Sequence, residues 1–176
     1  FESRIAVFEG DEYLTSMFDR RPKFHLYKPH IAILTGIAWD HINVFPTFEF
    51  YVDQFRKFLN TLETQARLIY FAGDENLKIL TDEAENTRRD VVSFPYNTPK
   101  YETRDGVTYV KTRKGEVALK IFGEHNLQNL EAAHLACRQI GVTDDHFYEA
   151  IADFPGVSGH MQKIVDKIIS YSCLFA

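Results

Sequence analysis

Apolar positions along the chain follow two different rhythms, one for each half. Residues 31–34 (IAIL) form an uninterrupted apolar run, as expected of a strand buried on both faces in the middle of a fold. Residues 4–8 (RIAVF), 67–71 (RLIYF) and 91–94 (VVSF) are expected as further core strands. Between them, Tyr51, Phe55, Phe58, Leu59 and Leu62 recur at helical spacing and make one apolar face. Thr47 is the expected N-cap of that helix, with Glu49 in its first turn. Gly73 turns the strand at 67–71 into a helix capped by Asp74 and running to about Leu80, whereas residues 13–29 lack a period and read as an ordered loop. This β-α-β-α-β alternation predicts a parallel sheet with right-handed crossovers. Beyond Tyr101 the period falls to two. Val107, Tyr109, Val117, Leu119 and Ile121 alternate around Lys114-Gly115 and predict a half-exposed antiparallel hairpin added to the parallel core. A helix from about Asn126 to Ile140 stops at Gly141, and Thr143 caps another that ends before Phe154-Pro155-Gly156. The expected class is α/β: a mostly parallel buried sheet flanked by helices, with an antiparallel hairpin.

Composition narrows the function. The chain has 176 residues, 45% of them hydrophobic and 14% aromatic, enough to bury one domain-sized core. A net charge of -5 and a pI near 5.8 argue against nucleic acid as the main partner. Cys137 and Cys173 form no CxxC pair, so a reducing, cytoplasmic setting is expected. No apolar run reaches the ~20 residues that would cross a bilayer. The chain opens on strand-like residues with no start signal, and residues 170–176 read as a strand without a cap. A longer parent protein is therefore expected.

Chemistry gathers where apolar runs stop. Trp39, Asp40 and His41 follow the run at 31–34, and in open α/β sheets ligands collect beyond the carboxyl ends of the strands. Glu9, Asp11 and Glu12 crowd three carboxylates at the end of the opening run, which either solvent or a cation must separate. Glu9 and His41 at neighbouring strand ends could share a divalent ion. An oxygen ligand suits Mg2+, while an imidazole lies nearer to Mn2+ preference. In Gly123-Glu124-His125-Asn126-Leu127-Gln128-Asn129, the two asparagines lie three apart at a helix start. An amide pair there offers donor and acceptor to a flat heterocycle such as adenine, although Asn126 also reads as a plain N-cap. Arg20, Arg21 and Lys23 face either solvent or an anion. His134 and Cys137 read as packed side chains. No G-x-x-x-x-G-K-[ST] phosphate loop is present in the sequence.

Three motifs, VFEGDEY (7–13), ILTGIAWDHINVF (33–45) and GEHNLQN (123–129), make the sequence resemble the central domain of the Mur ligases, ATP-dependent amide-bond-forming enzymes of bacterial cell-wall synthesis. Within that family the segment FDRRPKFHLYKP (18–29) is similar to the murein-peptide recycling branch. The resemblance implies a P-loop NTPase-like fold whose phosphate loop lies upstream of residue 1. It implies that residues 1–156 are the central domain and 157–176 a linker and first strand toward a C-terminal domain. Glu9 and His41 would bind the divalent metal, Mg2+ or Mn2+, in catalytic roles, and His125, Asn126 and Asn129 would contact the adenine end of ATP. The implied substrates are UDP-N-acetylmuramate and a cell-wall peptide or amino acid. The implied partners within the protein are flanking N- and C-terminal domains of the parent chain, without which the fragment is expected to be inactive.

Overall fold

The computed structural model describes residues 5–39 and 42–156. Two sheets share one long helix. Strands β1 (Ile31–Leu34), β2 (Arg67–Phe71) and β3 (Val92–Tyr96) lie in the order β1-β2-β3, all parallel, with Ile33 opposite Ile69 and Ile69 opposite Phe94. Helices α1 (Phe48–Thr61) and α2 (Glu75–Thr87) are the crossovers on one face. Beneath them Ala32, Leu34, Leu68 and Tyr70 meet Tyr51, Phe55, Phe58, Leu59 and Leu77 in the main core. Phe24, from a 3-10 turn at Lys23–Leu26, sits edge-on to Phe58 and seals one side. On the opposite face α3 (Glu124–Gln139) lays Ala132 against Ile69 and Tyr96.

The second sheet is an antiparallel meander of β4 (Tyr101–Arg104), β5 (Val107–Thr112) and β6 (Gly115–Leu119). Its inner face closes on α3 and α4 (Asp144–Ala152), where Val110 and Leu119 meet Leu127, Leu130 and Phe147.

Local chemistry explains most boundaries. Thr47 accepts from the Phe50 N–H, Thr143 from the His146 N–H, and Asp74 from the Asn76 and Leu77 N–H groups, so all three expected caps are in place. The Arg88 guanidinium donates to the carbonyls of Asn60, Leu62 and Glu63, satisfying backbone acceptors left over at the end of α1.

Five expectations change. Residues 5–8 lie outside any strand, with Ile5, Val7 and Phe8 52%, 92% and 69% exposed. The following residues bond instead to the loop, Phe24 N–H to the Asp11 carbonyl and Lys23 N–H to the Tyr13 carbonyl, which holds the segment in loop geometry. Among the described residues β1 is consequently an edge strand rather than a central one, and Ile33 is 41% exposed. Helix α2 continues two turns past Leu80, because Thr81 and Ala84 extend its buried face. The antiparallel unit has three strands and forms its own sheet. Asp105 and Gly106, both at positive φ, make the two-residue turn that adds β4. Finally, α3 is capped by Gly123 at φ 86°, not by Asn126.

Candidate functional site

A parallel sheet delivers all its strand ends to one edge, and the loops leaving them converge there. Here β1 leads into residues 35–39, β2 into Ala72-Gly73-Asp74, and β3 into Asn97-Thr98. The Thr98 hydroxyl donates to Glu124 Oε1 at 3.1 Å and accepts from Gln128 Nε2 at 3.2 Å, which pins the start of α3 to this edge. At the far edge Arg67 Nη1 donates to the Gln139 carbonyl at 3.0 Å. Helix α3 thus runs antiparallel to the strands, with its N-terminus beside their carboxyl ends. A cleft of about 510 Å³ opens there, lined by Thr98, Pro99, Lys100, Tyr101, Lys111 and Glu124. Lys111 is held by Glu102 at 2.5 Å, whereas Lys100 makes no ion pair among the described residues. Glu124 adds a carboxylate to the same lining, so the cleft carries both signs of charge beside the Tyr101 ring.

The loop after β1 is fixed at two points. The Ile37 N–H donates to Asp74 Oδ2 at 2.7 Å, and Trp39 Nε1–H donates to the Phe45 carbonyl at 3.1 Å. Ile37 and Phe45 are buried in the main core. Asp40 and His41, the candidates beyond the run at 31–34, lie outside the described residues.

Glu9 does not end a core strand, since its segment is no strand, and its side chain is exposed. Its neighbour Asp11 is already engaged, with Oδ2 2.7 Å from Lys23 Nζ and Oδ1 accepting from the Tyr13 N–H. Among the described residues no three His, Cys, Asp or Glu side chains gather as a metal cluster. Arg21 is folded back onto Asp19, whose carboxyl that pairing pulls down to about 2, and Arg20 is exposed.

At the start of α3, His125 is exposed and Asn126 and Asn129 are half-buried. Asn126 Nδ2 donates to the Phe122 carbonyl at 2.8 Å, which ties the amide to the backbone one turn before it. The helix start that carries these three residues lies at the carboxyl edge of the sheet, through the Thr98 bonds to Glu124 and Gln128. Two histidines elsewhere, His25 and His134, are structural. His25 Nε2 donates to the Gln54 carbonyl at 2.8 Å, and burial lowers its pKa. His134 donates to Asp144 at 2.9 Å and packs on Phe147 and Tyr148. The latter's phenol is pushed up to about 12, mainly by burial.

Sequence reasoning had not found Thr98, the cleft lysines or the second oxygen of Asp74. The Asp-then-helix pattern announces a cap, but a bond that crosses 37 residues leaves no local trace.

The Mur ligase middle domain family matches residues 2–137. The UDP-N-acetylmuramate:L-alanyl-gamma-D-glutamyl-meso-2,6-diaminoheptandioate ligase of Escherichia coli is 30% identical over 158 residues, covering 87% of this chain and 35% of that protein. A UDP-N-acetylmuramate:L-alanine ligase of Arthrobacter is also 30% identical, over 89% of this chain and 33% of that protein. This chain thus spans about a third of the length of these curated relatives. Among solved structures, the UDP-N-acetylmuramate:L-alanyl-gamma-D-glutamyl-meso-diaminopimelate ligase from Neisseria meningitides superposes with a TM-score of 0.69 at 24% identity, over 85% of this chain and 48% of that one. MurF from Acinetobacter baumannii gives 0.64 at 18%, over 82% of this chain and 33% of that one. Both share the fold.

Proposed function

The chain belongs to the Mur ligase family through its middle domain, and from that premise we infer that it is the ATP-handling part of a longer ligase of peptidoglycan recycling. That protein would join L-alanyl-γ-D-glutamyl-meso-diaminopimelate to UDP-N-acetylmuramate in the cytoplasm. ATP would phosphorylate the muramoyl carboxylate, and the peptide amine would displace phosphate from the acyl phosphate to form the amide. The reading is carried by one observation: α3 brings His125, Asn126 and Asn129 to the edge at which the loop toward His41 leaves β1. The amides of Asn126 and Asn129 suit the donor and acceptor edge of adenine, and the cleft at Glu124 contains the Lys100 ammonium.

A divalent ion fits this donor chemistry in a limited way. Glu9 is an exposed hard-oxygen donor, and Mg2+ typically takes one or two carboxylates with the remaining oxygens from phosphate and water. Glu9 and His41 would hold the ion, which would neutralise charge as two anions approach. Residues 1–156 form the central domain in this reading, with 157–176 leading to the next.

The test is ligation by the full-length parent with UDP-N-acetylmuramate and ATP, offering tripeptide or L-alanine. We expect amide formation with the tripeptide and a loss of more than about 100-fold in Glu9→Ala and His41→Ala, the scale of removing an electrostatic contact to the transition state. Rates within about threefold of the parent's would contradict the metal roles. Product with L-alanine alone would favour the alternative that the Arthrobacter relative's name supports, a UDP-N-acetylmuramate:L-alanine ligase. Nucleotide binding without any ligation would point to a non-catalytic module.

A further inference from the structure

Helix α3 begins differently from the other three. Helices α1, α2 and α4 are each held at the start by their own cap, Thr47, Asp74 and Thr143, whereas the N-cap of α3 is Gly123, which has no side chain to offer. A hydroxyl from another element takes over. Thr98 Oγ1 donates to Glu124 Oε1 at 3.1 Å and accepts from Gln128 Nε2 at 3.2 Å. Glu124 and Gln128 stand four apart, one above the other on the helix, so the hydroxyl spans its first turn. Thr98 is itself well anchored, two residues beyond Tyr96, which ends β3 buried among Ile69 and Ala132. His125 and Asn129 follow Glu124 and Gln128 directly in sequence, so they form the neighbouring stripe, about 100° around the helix. Asn126 has a separate tether, to the Phe122 carbonyl.

We propose that Thr98 is a positioning residue for nucleotide binding: by clasping Glu124 and Gln128 it sets where the first turn of α3, and with it the Asn129 amide, stands against the heterocycle of the nucleotide. The proposal rests on the reading above in which these amides meet adenine. The hydroxyl is engaged by Glu124 and Gln128 and acts on the nucleotide through the helix. Valine has the outline of threonine without the hydroxyl, serine keeps the hydroxyl, and Gln128→Met removes the donor from the other side. A hydrogen bond of ordinary net strength corresponds to about a three- to tenfold change in affinity.

The experiment measures the Kd of ATP with Mg2+ by titration calorimetry on the full-length parent, without its other substrates, in Thr98→Val, Thr98→Ser, Gln128→Met, Asn129→Ala and the Thr98→Val/Asn129→Ala double variant. Inorganic tripolyphosphate is titrated alongside as a probe of the phosphate end alone, and a thermal melt accompanies each variant. The expected result is a Kd for ATP about three- to tenfold higher in Thr98→Val and in Gln128→Met, a parent-like Kd in Thr98→Ser, and unchanged tripolyphosphate binding. In the Asn129→Ala background, Thr98→Val should add little, because the two act through one contact. A Kd within about twofold of the parent's in both Thr98→Val and Gln128→Met, with Asn129→Ala clearly weakened, overturns the positioning role alone. An undiminished Thr98→Val effect in the double variant, or an equal loss of tripolyphosphate binding, overturns it as well, since the hydroxyl would then act on general structure. If Thr98→Val melts early, Gln128→Met decides by the same criteria. Parent-like ATP binding in Asn129→Ala removes the adenine reading itself and the proposal with it.

Discussion

The two sheets are built on opposite principles. The parallel sheet is covered on both faces, by aromatic residues of α1 and aliphatic residues of α2 on one side and by Ala132, Leu135 and Ala136 of α3 on the other, and Leu68 and Ile69 at its centre are inaccessible. The meander has one apolar face only. Every residue of β4 is exposed, and its outer surface carries charge pairs, Arg104 with Glu116 and Lys111 with Glu102, with Arg104 also lying 4.2 Å from the Tyr109 ring centre. Parallel strands need crossovers that bury both faces, while antiparallel strands can leave one to water. The difference teaches that the tightest packing lies in the sheet whose strand ends lead to the candidate site, and that the meander supplies a charged wall.

Leu68→Ala should break the comparison most sharply if it is wrong. An inaccessible leucine between two helical layers is expected to cost about 4 kcal/mol, and Leu119→Ala in the smaller outer core about 2 kcal/mol, both measured by urea unfolding. Equal losses would mean that the two cores are equally tight. Next in size is Arg88→Ala, which strips three carbonyls and Asp90 of their donor and should cost about 2 kcal/mol.

The same pair gives a pH signature. Hydrogen bonding to Arg88 takes the Asp90 carboxyl from 3.8 to about 2. A depressed carboxyl contributes stability that is complete above its unfolded value and is lost as pH falls through the folded one. Melting temperature should therefore fall less steeply between pH 4 and about 2 in Asp90→Asn than in the parent. The smallest effect is expected at the meander surface. Lys111→Ala should lower Tm slightly at low salt and not measurably in roughly 1 M salt, where the screening length is ~3 Å. A salt-independent loss would show that the lysine acts by packing.

How much of this was legible in the chain follows the range of each interaction. Thr47, Asp74 and Thr143 were readable as caps because each bonds to backbone two or three residues away. The apolar face of α1 was readable for the same reason of period. Residues 4–8 misled, because an apolar run states a preference for burial but not which strand edge will accept it. The described part, 5–8, lies outside any strand. Asn126 was readable as a cap only until Gly123, with its positive φ, took that role. In the site, the pairing of Asn126 and Asn129 was visible in their spacing and His125 entered through the family resemblance, whereas Thr98, Lys100 and the Ile37 bond depend on contacts between distant segments. The paired role assigned to Glu9 and His41 stays a proposal, since His41 is not among the described residues.

Helix α3 belongs to both halves at once: Leu127 and Leu130 face the meander, Ala132 and Leu135 face the parallel sheet, and the asparagines ride on its first turns. It is in effect a shared axle. A load applied to the charged outer wall, whether by a docking neighbour or by a substitution in β5, bears on the same rod that carries Asn126 and Asn129.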